Sequence, residues 1–409
     1  MLSVGEWPYM QQIDPEATPS FYGVAFSVSK AAHAIFAFAF AYWARKAGMK
    51  MPLLAGPAIS LSACVCYLFV EFFPSNRRWW MMFCYFLFGV GYSASVLLRS
   101  YIARVSSVEN RASAYAVQNG ATVLSVVVGP APIWLALITN VIAIIFIAVT
   151  FQDLEAQDIE KSSVSSSSMT KYGAGLINRI KSFNLPWILI ILVIFERFVS
   201  QIGLTTSTFL AAPVLTTEFA LTGEDAVLAL SISQCIIGIL ALALSLCFYF
   251  FKLGNRVGCR LFFLLANILV VVGYFLTYPF PAVSTPMQSY NETTKAGCDP
   301  TKNDWCATEL VTNLIPFLII MTLTLGFAFP MSNLSLDTIY SKMVGHADQN
   351  VMQAIFVIAD DVSLIVAPIY TSQVFAAAGY STVEIVNGSI YIVATVLWII
   401  AWKRLKPFN

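Results

Sequence analysis

Six ionisable side chains interrupt stretches that otherwise belong in hydrocarbon: Lys30, His33, Glu196, Arg197, Asp360 and Asp361. An ionised group at the centre of a bilayer costs at least ~2.5 kcal/mol, so a chain that keeps six of them has a use for their charge. Carboxylates bind cations or exchange protons, lysine and arginine hold anions, and imidazole titrates near neutral pH. Neighbouring helical residues point ~100° apart. Asp360 and Asp361 therefore cannot share one partner equally, and one of them is a candidate proton carrier. Lys30 and His33 are one turn apart on the same helical face. Glu196 and Arg197 are sequence neighbours, so each needs a partner on another helix or an ionic substrate.

The elements that must position these groups are legible in the composition. The chain has 409 residues, is 58% hydrophobic and 11% charged, and carries 31 Phe, 17 Tyr and 9 Trp; soluble proteins average ~25% charged residues. Eleven hydrophobic runs of about twenty residues, from 20–43 to 384–402, match the length that crosses ~30 Å of hydrocarbon as a helix. At ~1.5 Å per residue, Lys30, Glu196 and Asp360 each lie ~15 Å into their runs, which is the midplane. The expected architecture is an all-α polytopic protein whose first partner is the lipid bilayer. Seventeen of the 23 Lys and Arg fall in alternate loops, which the positive-inside rule makes cytosolic together with the C-terminus. Arg99 and Arg104 read as anchors of that topology. Residues 1–19 lack a cleavable signal-peptide pattern, so the first run is expected to act as its own insertion signal.

Six of the eight cysteines lie in or beside the runs and read as small buried residues. Cys298 and Cys306 instead share the 281–310 loop, on the side opposite the basic loops, with the glycosylation acceptor Asn291-Glu292-Thr293. A disulfide and a glycan on that loop fit a secretory-pathway lumen. The chain has two histidines in total, no metal-ligand cluster, no phosphate-binding glycine loop and no Ser/His/Asp set. No enzymatic activity, metal, cofactor or nucleic-acid partner is expected; a small molecule or ion is.

The charged, Ser-rich stretch 152–184 reads as a cytosolic linker between an N-terminal half, 1–151, and a C-terminal half, 185–409. The halves repeat. Arg45-Lys46-Ala47-Gly48-Met49-Lys50 in the first corresponds to Asn255-Arg256-Val257-Gly258-Cys259-Arg260 in the second. Arg104 precedes the Pro130 of VVVGP by the distance that separates Lys342 from the Pro368 of LIVAP. Two parallel repeats joined by a cytosolic linker resemble the major facilitator superfamily. Against its loop signature G-x-x-x-D-R-x-G-R-R/K, the second copy keeps Arg256, Gly258 and Arg260, with Asn255 in the acidic place; the first copy has Arg45 there. Where R-x-x-x-G-x-G is expected, Gly89 and Gly91 remain but Tyr85 stands for the arginine.

The stretches WPYMQQIDPEATPSFYG (7–23), LLRSYIARVSSVENRASA (97–114), GCDPTKNDWC (297–306) and GFAFPMSNLSLDTIYSKMVG (326–345) are similar to a lysosomal branch of that superfamily. The resemblance implies two rocking helical halves in a lysosomal or late endosomal membrane, with the Lys30 and Asp360 helices facing each other across them. It also implies a complete helix ahead of WPYMQQIDP and more chain between Pro130 and Trp134, so the first helix reads as truncated. Lys30 is expected to pair with Asp360 or Asp361 in one conformation, either as a coupling contact or as packing alone. The expected function is alternating-access transport of a small solute or ion, with proton coupling as one version. The alternatives are a channel-like chloride pathway on the same scaffold and a truncated, non-transporting product.

Overall fold

The computed structural model describes residues 10, 13–14, 19–73, 75–107, 109–128, 133–150, 186–291, 296–300, 303–345 and 349–408. The 152–184 linker and Pro130 lie outside them. In hydrocarbon each peptide group must be satisfied within its own segment, and the apolar runs become helices accordingly. The first half holds α1 (Pro19–Ala47), α2 (Lys50–Leu68), α3 (Arg77–Tyr92), α4 (Ser95–Val105), α5 (Arg111–Val128) and α6 (Ile133–Thr150). The second holds α7 (Trp187–Thr217), α8 (Gly223–Phe251), α9 (Cys259–Thr277), α10 (Leu314–Val344) and α11 (Gln349–Ala401).

Among the described residues nine helical stretches are long and apolar enough to cross a membrane, α3 and α4 together forming one of them. The 53-residue α11 is two segments merged across a kink at Gly379, where φ is 76°. With its two arms and the more polar α5, the described residues give eleven segments. Pro57, Pro213, Pro330 and Pro368 sit inside helices, which neighbouring helices make tolerable at membrane depth.

The repeated basic loops turn on glycine in both copies: Gly48 has φ 80° and Gly258 φ 88°, a region that L-residues avoid. Arg260 donates through Nη1 to the Trp402 carbonyl at 2.7 Å and lies 4.7 Å over the Trp402 ring. Lys46 and Arg256 are exposed, and the Asn255 side chain lies outside the described residues.

Within the first half, α3 approaches α1 so closely at Gly89 that a Cβ there would run into the Ser29 carbonyl. The second half packs Val193, Phe263, Leu336, Tyr340, Phe356 and Trp398 into its core. Between halves, Ala37, Ala41 and Val96 meet Ala354 and Val357, while Ala116 meets Phe248 and Leu334. These contacts lie toward the end of the bundle that carries the basic loops. Helix α6 has no buried residue, as an apolar helix facing lipid should. Cys64, Cys84 and Cys259 are buried, but Cys66 and Cys235 are exposed. The expectation of buried thiols fails there because lipid accepts a small apolar side chain as readily as a core does.

At the opposite end Cys298 and Cys306 form a disulfide. Two short strands, β1 (Thr285–Pro286) and β2 (Leu310–Val311), pair antiparallel across the same loop. The loop is tied down by Gly297 N–H donating to the Thr216 carbonyl at 2.9 Å and Trp305 Nε1 donating to the Ala376 carbonyl at 3.1 Å. Asn291 is exposed; the rest of its acceptor triplet lies outside the described residues.

Candidate functional site

Helix α7 buries Arg197 to 1% exposure. Its Nε and Nη2 donate to Oδ1 and Oδ2 of Asp360 at 2.5 and 2.8 Å. Its Nη1 donates to Asn333 Oδ1 on α10 at 2.5 Å, and the Phe356 ring lies 5.1 Å from the guanidinium. A planar fork on a carboxylate is the strong form of the pair, and here it is internal to the second half. Asp361, one position further and turned away, faces the first half instead. His33 Nδ1 lies 2.8 Å from its Oδ1 and 2.7 Å from its Oδ2. A proton bridges the two, carried on the ring or on the carboxyl. The other ring nitrogen, Nε2, is buried without a partner. Ser93, at the break between α3 and α4, donates to the His33 carbonyl at 3.1 Å and holds this turn of α1.

The expected Lys30–aspartate contact is not made in this conformation. Among the described residues Lys30 has no ion pair within 4.0 Å, and its Nζ stands 5.4 Å from the Phe26 ring centre. Asp361 and then Asp360 are the acidic groups that act on it. The physical reason is competition: Arg197 takes Asp360 with two donors, and His33, a turn along from Lys30, takes Asp361. Glu196 points away from Arg197, accepts from Asn267 Nδ2 at 3.4 Å and leaves Oε1 without a partner.

Two site residues escaped the sequence reading. Arg99, expected to be a topology anchor, donates through Nη1 to Asp337 Oδ1 on α10 at 2.8 Å, with the side chains 18% and 10% exposed. The same Asp337 oxygen lies 3.8 Å from Arg197 Nη1, so it is shared between an arginine of each half. Ser100 Oγ donates to Asn350 Oδ1 at 2.5 Å. Arg111 Nη1 donates to the Ser341 carbonyl at 3.3 Å, and Asn119 Nδ2 to Ser245 Oγ at 3.0 Å. The available signal was Asp337 itself. The hydrophobic run ends at 337, but α10 continues to Val344 and puts this aspartate two turns inside.

Separating the halves would break Arg99–Asp337, His33–Asp361, Ser100–Asn350, Arg111–Ser341 and Asn119–Ser245. Asp337 keeps Arg197 close by, so its charge stays compensated. Asp361 has no arginine of its own half at hand, because Arg197 is committed to Asp360. Parting from His33 as a neutral acid avoids leaving a bare buried carboxylate.

Residues 6–291 match the sequence profile of the Major Facilitator Superfamily. Major facilitator superfamily domain-containing protein 8 of Xenopus laevis is 23% identical, across 98% of this chain and 88% of that protein. The human organic anion transporter MFSD10 superposes with a TM-score of 0.62 at 13% identity, covering 96% of this chain and 88% of that one. The E. coli fucose:proton symporter FucP superposes with a TM-score of 0.64 at 11% identity, covering 96% and 92%.

Proposed function

Since the chain belongs to the Major Facilitator Superfamily, we propose that it is a membrane transporter moving a small solute or ion by alternating access, with a proton on Asp361 licensing the opening step. One observation carries this reading: the two halves meet through two buried ionic contacts, Arg99–Asp337 and His33–Asp361, while Arg197, beside Asp337, belongs to the second half. Arg99 and His33 leave with the first half. Asp337 then relies on Arg197, and Asp361 on the proton it keeps.

The halves 1–151 and 185–409 act as the two bodies, joined by the 152–184 segment. The seam lies at the end with the basic loops, which the positive-inside rule makes cytosolic. This conformation is therefore closed toward the cytosol, and the disulfide loop faces a lumen. The membrane is lysosomal or late endosomal. The disulfide, the Asn291 acceptor and the likeness to a lysosomal branch of the superfamily support that assignment, and a proton gradient there would drive the coupling.

A cysteine at Ala37 in the seam tests alternation. Membrane-impermeant maleimide should reach the Ala37→Cys thiol from the basic-loop side of reconstituted vesicles when the seam opens, and should not reach it while the seam is closed. A thiol that stays unlabelled from that side under every condition would remove alternating access. A second reading, a chloride pathway, draws on Lys30, a cation without an ion pair at the midplane. It requires a chloride current linear in voltage that Lys30→Ala abolishes.

A further inference from the structure

Away from the seam, inside the second half, another set of buried polar groups lies on one stripe of the second arm of α11. Tyr380, Glu384, Asn387 and Tyr391 follow i, i+4, i+7, i+11 spacing, and each is 4% exposed or less. At the loop end, the Tyr380 N–H donates to Glu218 Oε1 at 3.1 Å, and Ser381 Oγ donates to Glu309 Oε1 at 2.6 Å. Glu384 accepts from Thr277 Oγ1 at 2.6 Å through Oε1, while its Oε2 is buried with no partner. Asn387 accepts from the Tyr370 hydroxyl, and its Nδ2 is unpartnered. Tyr391 donates to the Ser200 carbonyl at 3.2 Å. One turn before Ser200 on α7 stands Glu196, with its unpartnered Oε1. A mainly apolar cavity, whose wall takes its hydroxyls from Ser200, Ser207, Tyr274, Thr324, Ser332 and Tyr391, opens beside this stretch.

Buried polar atoms are seldom left without partners. Here two orphans lie on one stripe of α11 and the third on α7, one turn from the Ser200 that Tyr391 contacts, and a bridging water would supply such partners. The groups facing the two inner carboxyls can carry or hand on a proton. Glu384 accepts from Thr277 of α9, and the titratable groups that act on it through space are Tyr274 of α9, Tyr380 of its own arm, Glu218 at the end of α7 and Glu309 of the loop. Glu196 faces Asn267 on α9 and Tyr391 on α11. No described cation lies within 4.0 Å of any of the four glutamates.

We propose that this stripe is a proton path through the second half. It runs from Glu218 and Glu309 at the lumen-facing loop, through Glu384 and the Tyr391 cavity, to Glu196, next to the arginine that holds Asp360. Each hop breaks one O–H bond at a carboxyl or water and forms one at the next oxygen, so the hydroxyls and amides along the way are unchanged. The path extends the alternating-access reading by giving protons a route toward the midplane while the cytosolic seam is closed.

The test uses the full chain in lipid vesicles that contain a pH-sensitive dye, with protons driven inward by a potassium diffusion potential. Wild-type protein should acidify the interior about tenfold faster than protein-free vesicles do, and Glu384→Gln and Glu196→Gln should each remove most of that excess. Glu384→Asp, which keeps a carboxyl, should retain a substantial share. Uptake no faster than in protein-free vesicles, or glutamine variants as fast as wild type, overturns the path. Equal loss in Glu384→Gln and Glu384→Asp assigns the effect to packing and overturns it too. Maleimide labelling of the Ala37→Cys thiol, read on the same vesicles, separates the two ideas. Because the path ends at Glu196 near the midplane, net uptake also requires the seam to open: alternation without Glu384-dependent uptake sinks the path alone, whereas Glu384-dependent uptake without alternation overturns the path as drawn together with alternating access.

Discussion

Arg197 donates two hydrogen bonds to Asp360 and one to Asn333 from a site almost closed to solvent. Removing one member of such a pair strands the other charge and costs ~3–5 kcal/mol, whereas replacing both by apolar residues of similar size is often neutral. Arg197→Met and Asp360→Leu should each lower the thermal midpoint in detergent, and the double variant should recover most of the loss. Additive losses would mean that the pair is not a unit. Glu218, just beyond α7, gives a pH signature. Burial pushes its carboxyl up to about 8; the Tyr380 N–H opposes the rise and the Glu309 charge adds to it. The folded protein thus holds this proton more tightly than the unfolded chain, where Glu titrates near ~4.3. The stabilisation is complete below that value and is lost as pH climbs toward 8. Glu218→Gln stays neutral throughout, so its melting temperature should fall less than that of wild type between pH ~5 and ~8. Parallel profiles would remove Glu218 as the source.

At the scale of the helices, the apolar runs and the observed segments correspond because hydrocarbon accepts little else. What stayed hidden was phase. The last two turns of α10 lie beyond the hydrophobic run; Ile339, Tyr340, Met343 and Val344 pack into the second half's own core, while from the first half Arg99 reaches Asp337 and Arg111 reaches the Ser341 carbonyl. Lys30 and His33 were both visible as midplane groups. Which of them meets an aspartate depends on a rotation and a one-turn slide between α1 and α11 that no single helix encodes. The break at Gly379 was legible, since it falls between the runs 350–377 and 384–402, but the backbone conformation that makes it was not. Its φ of 76° and ψ of 177° suit glycine only, and a Cβ would meet Trp305 at 3.2 Å and Glu309 at 3.3 Å. Gly379→Ala should therefore cost ~1–3 kcal/mol and loosen the disulfide loop. Hydrogen exchange in residues 303–311 measures the second effect; unaltered protection there would show that the kink does not hold the loop.

For the whole molecule, the sign of the pH effect on opening follows from what each half takes away. Lys30 and His33 withdraw together, so neither can compensate Asp361 once the halves part. At high pH Asp361 would be left as a carboxylate without His33 or Lys30 and beside the Asp360 charge, and the closed seam wins. At low pH the carboxyl keeps the bridging proton and leaves as a neutral acid, so acid favours the open state. Ser100→Cys and Asn350→Cys, which replace a hydrogen-bonded pair spanning the seam, report the closed population through crosslinking with a short bis-thiol reagent. A protease site placed in 152–184 lets the two halves run apart on a gel unless they are joined. Crosslinking yield should fall as pH is lowered, after correction for reagent rate with a soluble dithiol. In an Asp361→Asn background, where no proton can be gained or lost at that position, the yield should become flat across the same range. A slope that survives Asp361→Asn would assign the pH sensitivity to another group and detach Asp361 from the opening step.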